Sequence, residues 1–337
     1  MGLPRFLESV AANQIAAIPK NLPQDWKDQA LLTACRNGHV SLIKKLLDTE
    51  ANPKYGSPPD GDFPLVNASS RGNFEIVKLL LANGAESNQG TTDKGITALM
   101  AASQSGHAEV ARLLVENQAD PNQGTTDKGW TALMAASENG HAEVARLLVE
   151  NQADPNQGTT DVGWTALMAA SQSGHAEVAR LLVENQADPN QGTTDKGWTA
   201  LIAASQSGHA EVARLLVENQ ADPNQGTTDV GWTALMAASE NGHAEVARLL
   251  VENQADPNQG KTDNGWTALM AASLSGHAEV ARLLVENQAD PNQGTTDKGI
   301  TALMAASANG HAEVARLLVE NQADPNQGTP PTKDGRR

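Results

Sequence analysis

Residues 129–162 read GWTALMAASENGHAEVARLLVENQADPNQGTTDV, and the chain returns to this stretch nearly letter for letter. Trp130, Trp164, Trp198, Trp232 and Trp266 follow one another at steps of 34 residues, with Ile96 before them and Ile300 after them in the same frame. Looser copies reach toward the N-terminus, where Gly38-His39 and Gly72-Asn73 stand in for Gly106-His107. The position of His107 recurs at 39, 73, 141, 175, 209, 243, 277 and 311, which makes nine repeats. A fixed period in this range predicts stacked supersecondary units, so the array has to be read before any single residue.

Within one copy the local signals agree. Thr97 precedes the short apolar run Ala98–Ala102 and is a suitable helix N-cap. Gly106 separates that run from a second helix in which Val110, Leu113 and Leu114 share a face while Glu109, Arg112 and Glu116 take the other. Residues 119–129 are rich in turn formers and predict a long loop or β-hairpin. The expected architecture is an all-α repeat solenoid: two short helices joined by a glycine turn, then a hairpin or loop, stacked in line. One unit offers roughly five large aliphatic side chains, each contributing about 1.5–3 kcal/mol when buried. Ordering its backbone costs about 1–2 kcal/mol per residue. A single copy is therefore unstable, and burial against its neighbours has to supply the difference.

The frame Gly129, Thr131, Leu133, Ala135, Ala136, Gly140, His141, Val144, Leu147, Leu148, Ala153, Asp154 and Asn156 resembles the ankyrin-repeat family, and the match recurs through about residues 29–330. The resemblance implies a curved stack whose hairpin tips and inner-helix ends line a concave, protein-binding groove. It also implies that the histidines tie adjacent loops together. Three departures stand out. The period is 34; Ala132 and Met134 replace the proline and histidine of the family's Thr-Pro-Leu-His; and Gln152 sits where the family has a left-handed glycine. Asn151 tolerates that conformation and is expected to end the helix in its place.

Three segments are expected: residues 1–28 as an N-terminal capping helix or partner-binding arm, 29–330 as the repeats, and 331–337 as a disordered tail. Phe6, Leu7, Val10 and Ile15 have helical spacing in the first of these. Residues 30–35 and 40–47 are the expected helices of the first repeat.

Composition narrows the function classes. A formal charge of −16 opposes nucleic-acid and anionic-membrane partners and favours a basic protein. No apolar run suits a signal peptide or membrane span, and the single cysteine, Cys35, suits a reducing, cytoplasmic setting. No metal site or cofactor is expected. Residues 120–127 faintly match a calcium loop but lack the closing glutamate, and a calcium-binding array is the weakest alternative. Nearly every residue is made many times over, whereas a catalytic site is made once, so no catalytic residues are assigned.

What differs between copies is the candidate site. Variation falls at Ile96, Trp130, Trp164, Trp198, Trp232, Trp266 and Ile300, and just before the hairpin glycine at Lys128, Val162, Lys196, Val230 and Asn264. It also falls at the ends of the first helices, including Glu138, Glu240 and Leu274. These residues predict a protein-binding groove; the alternative is a structural spacer, natural or consensus-like, without a specific ligand. The Trp row is either an aromatic ladder for a partner or a set of rings each packed flat on the next hairpin. The ninth repeat keeps Val314, Leu317 and Leu318, so its end face is expected to self-associate.

Overall fold

A computed structural model describes residues 2–14, 18–19, 21–57 and 61–327. Ile15 and the tail from 328 onward lie outside the described residues. The described residues form helices and turns, with one isolated bridge between Ser57 and Asp62 and no strand.

The chain divides into two units, Met1–Asp161 and Val162–Arg337. The first holds α1 (Leu3–Ala11), α2 (Gln24–Asn37), α3 (Val40–Asp48), α4 (Pro64–Ser70), α5 (Phe74–Ala82), α6 (Ala98–Gln104), α7 (Ala108–Glu116), α8 (Ala132–Glu138) and α9 (Ala142–Glu150). The second holds α10 (Ala166–Ser173), α11 (Ala176–Glu184), α12 (Ala200–Ser207), α13 (Ala210–Glu218), α14 (Ala234–Glu240), α15 (Ala244–Glu252), α16 (Ala268–Ser275), α17 (Ala278–Glu286), α18 (Ala302–Ala308) and α19 (Ala312–Glu320). In each unit the first helix of a repeat packs on the first helix of the next, and second helices pack on second helices. This is the stacked helix-pair architecture that the period predicts.

Local chemistry explains the element ends. Thr131 Oγ1 accepts from Met134 N at 3.3 Å, so the threonine does cap the first helix. Ala132, Leu133, Ala135 and Ala136 are all buried, because the alanines let neighbouring helices approach closely. At Gly140 the chain turns with φ 73°, and the next helix begins.

The expected helix end at Asn151 is corrected. Asn151 keeps φ −105°, and Gln152 takes the left-handed conformation at φ 69°. Asn151 Nδ2 donates back to Leu147 O at 2.8 Å, which holds it on the helix. Gln152 N then donates to Val149 O and Ala153 N to Leu148 O, the paired bonds of a Schellman cap. The same glutamine carries positive φ at 118, 186, 220, 254, 288 and 322.

Near the N-terminus, α1 buries Phe6 and Val10 against α2, and Phe6 stacks on Trp26 with ring centroids 5.9 Å apart. The first repeat's helix begins earlier than its apolar run suggests, at Gln24 directly after Pro23. Asp28 locks this extra turn in place, accepting from Gln24 Nε2 at 2.8 Å and from Asn52 N at 2.6 Å. Burial raises the pKa of the Cys35 thiol and keeps it protonated.

Candidate protein-interaction surface

Each hairpin is a tight turn pinned to the one before it. Thr125 N donates to Trp130 O at 3.0 Å, Gly129 N to Thr125 O at 2.8 Å, and Thr126 N to Lys94 O of the preceding hairpin at 2.8 Å. Gly129 has φ 69°, and a Cβ there would lie 2.8 Å from Thr160 Cγ2, so the turn needs glycine on both counts. Trp130 N donates to Thr125 Oγ1 at 3.0 Å. The Thr125 hydroxyl, with help from the Lys128 amide, also holds Asp127 below the usual carboxylate range.

Below the hairpins, asparagines stitch neighbouring loops. Asn122 Oδ1 accepts from Asp154 N at 2.7 Å while its Nδ2 donates to Gln152 O at 2.9 Å. Asp120 Oδ1 accepts from Asn122 N, so the residues that resemble a calcium loop spend these oxygens on turns. Among the described residues no group of three or more His, Cys, Asp or Glu is placed to hold a metal ion. The histidines tie adjacent repeats together, though to the end of the preceding repeat's first helix and not to a loop. His141 Nε2 donates to Gln104 O at 3.1 Å, and His107, His209, His243, His277 and His311 repeat the bond. Gly106 leaves room for this, since a Cβ there would sit 2.6 Å from His141 Nδ1.

The indoles are shared between stack and surface. All five tryptophans of the repeat row are half-buried. Thr159, Thr193, Thr227 and Thr295 each lie one hairpin after a tryptophan and are only 5–6% exposed. Thr91 and Thr125 follow Asp62 and Ile96 instead, and both are half-buried. At the one hairpin where threonine is replaced, Lys261 places Nζ 5.7 Å from the centroid of Trp232. Burial of the hairpin threonine thus goes with a tryptophan in the preceding copy, while the indoles themselves remain partly exposed.

The remaining candidate residues fall as follows. Lys128, Lys196, Glu138 and Glu240 are exposed, Val162, Val230 and Asn264 are half-buried, and Leu274 is 41% exposed. Ile96 and Ile300 are half-buried. In the first unit the fold gathers Ile96, Lys128, Trp130 and Glu138 around one cleft of about 320 Å³, floored by Met100 and Ala135. The remaining walls come from Lys94, Gln104, Thr125 and Asp127.

Lys261 lies outside the expected set, yet its signal stands in the sequence: it is the one lysine where Thr125, Thr159, Thr193, Thr227 and Thr295 stand in other copies. Its neighbour compensates for the change. Trp266 N, deprived of a threonine hydroxyl, donates to Asn264 Oδ1 at 2.9 Å.

The end face of the ninth repeat differs from expectation. Val314, Leu317 and Leu318 are buried inside that repeat. The open apolar side chains are Val319, 53% exposed, and the half-buried Leu303 and Met304, whose counterparts Leu269 and Met270 are 1% exposed beneath a following repeat. Together with Arg316 and Glu320 they line a cleft of about 580 Å³.

Helix pairs, glycine turns and tethered hairpins in tandem define a class of repeat protein built for contact along a surface. The family model for ankyrin repeats (3 copies) matches in overlapping segments: 8–91, 31–125, 84–159, 123–193, 157–227, 187–261, 225–295 and 258–329. The chain belongs to the ankyrin-repeat family. Such repeats are generally protein–protein interaction scaffolds and are typically non-enzymatic. Among solved structures, the human ASB11 ankyrin repeat domain is similar, with a TM-score of 0.61 and 25% identity over 68% of this chain and 100% of that one. No curated protein matches the chain. No described helix is long and apolar enough to cross a membrane.

Proposed function

We propose that this chain is a non-enzymatic adaptor that works in the cytoplasm and presents its hairpin row and first-helix ends to a basic protein partner. The observation that carries this reading is where near-identical copies differ. The Ala, Leu and Ser positions buried in the first helices are the same in every copy from Gly95 onward, while Glu138, Glu240, Leu274 and the residues before the hairpin glycines change and reach solvent. The net charge of −16 supplies long-range attraction for a basic surface. Residues 1–28 serve as a cap through α1. The open side chains Leu303, Met304 and Val319 support self-association through the ninth repeat.

The buried threonines favour a second reading, in which the tryptophans stiffen a spacer. The two are separated by comparing proteins captured by the wild-type chain with those captured by Glu240→Lys/Leu274→Lys. Both sites are exposed helix ends, so stability is expected to hold. An adaptor loses a defined partner in the variant; a spacer shows the same background in both.

A further inference from the structure

The cleft between the hairpins of Ile96 and Trp130 is a place where the repeat pattern leaves a ring out. Later in the chain Trp198 precedes a buried Thr227, and Trp266 precedes a buried Thr295. Where Ile96 stands in the tryptophan position, Thr125 is left half-buried and about 320 Å³ stays open above Met100 and Ala135. That volume lies at the low end of sites that hold small ligands. The floor is apolar, and the rim carries both charges, Asp127 and Glu138 against Lys94 and Lys128.

We propose that this cleft accepts a tryptophan or comparable aromatic side chain from a basic segment of a protein partner, which fills the position that an indole of the chain itself takes in the later copies. The inference deepens the adaptor reading and rests on it. Two observations fix the occupant. Internal repetition shows what shape packs on the hairpin threonine, since every threonine that follows a tryptophan is buried. Lys261 over Trp232 shows that a cation is compatible with a ring in this setting, 5.7 Å from its centroid. The charge of the whole chain selects the flanks: it carries −16 and attracts a basic segment, while the rim itself balances Asp127 and Glu138 with Lys94 and Lys128. An aromatic anchor flanked by lysine or arginine satisfies all three. Aromatic side chains with a polar edge are also the common anchors of protein interfaces.

The test uses the whole chain with methyl-labelled isoleucine and methionine, titrated with the capped tripeptide Ac-Lys-Trp-Lys-NH2 and with Ac-Lys-Gly-Lys-NH2. The expected result is saturable movement of the Ile96 and Met100 methyl signals with the tryptophan peptide, and at least tenfold weaker binding of the glycine peptide. Ile96→Trp supplies the missing ring from within, and is expected to abolish Met100 movement while leaving the fold intact by circular dichroism. Unmoved Ile96 and Met100 signals in the wild type overturn the proposal, whatever the variant does. So do equal affinities for the two peptides, or unchanged binding to a folded Ile96→Trp. These outcomes leave the Glu240/Leu274 capture comparison untouched, so failure of the cleft and failure of the adaptor reading are distinguishable.

Discussion

Lys261 holds its ammonium 5.7 Å from the centre of the Trp232 ring, while the turn it entered by replacing threonine is repaired by Asn264, whose Oδ1 accepts from Trp266 N. The two changes form a compensated pair. In Lys261→Thr the hydroxyl returns as an acceptor for Trp266 N, as Thr193 serves Trp198. Asn264→Ala is therefore expected to cost about 1 kcal/mol in the wild type and much less in the Lys261→Thr background. Urea denaturation of the four chains of this cycle measures the coupling; additive losses count against the repair.

The left-handed glutamines store avoidable strain. Gln152 sits at φ 69°, where a residue with a side chain is disfavoured, and its side chain does not form the Schellman bonds. Gln152→Gly is expected to stabilise by ~0.5–1 kcal/mol after the greater freedom of glycine in the unfolded chain is subtracted. Gln186→Gly is the independent repeat of the measurement. A lower urea midpoint in both variants contradicts the cap assignment.

Ser137 Oγ is buried without a hydrogen-bond partner, as are the equivalent hydroxyls of Ser103, Ser205 and Ser273. Ser137→Ala removes a desolvated polar atom and is expected to raise stability by about 1 kcal/mol. Destabilisation on alanine substitution would show that the hydroxyl is satisfied after all.

Asp127, Asp229 and Asp297 are held below the usual carboxylate range, first by hydrogen bonds from Thr125, Thr227 and Thr295. A carboxylate with a depressed folded pKa contributes stability that is complete above its unfolded pKa, about 3.9, and is lost as pH falls through the folded value. The melting-temperature gap between wild type and Asp229→Asn is thus expected to be constant at neutral pH and to close only in strong acid. A gap that closes near pH 6 is inconsistent with this assignment.

Much of this was legible in sequence because repetition amplifies weak local signals. Thr97, the alanine-rich first helix and Gly106-His107 specify a helix pair in one copy, and further copies remove the ambiguity. The cap departs from expectation because propensity favours asparagine over glutamine in the left-handed region, yet Asn151 finds a carbonyl on its own helix and leaves the strain to Gln152. The start of α2 was missed because Gln24–Lys27 carries almost no apolar pattern and is fixed by Asp28 reaching across to Asn52. The candidate site was legible as a set of varying positions, but not as a cleft. That Trp232 faces Lys261, and that Thr125 is only half-buried after Ile96, depends on the register between successive hairpins.

The adaptor account is tested most directly by backbone hydrogen exchange of the chain with and without a captured partner. It predicts slowed exchange at hairpin amides such as Thr193, Gly197, Thr227 and Gly231 and at the ends of α12, α14 and α16, with the solvent-facing amides of α13 and α15 unchanged. Protection confined to those second helices, or absent from the hairpins, would contradict it.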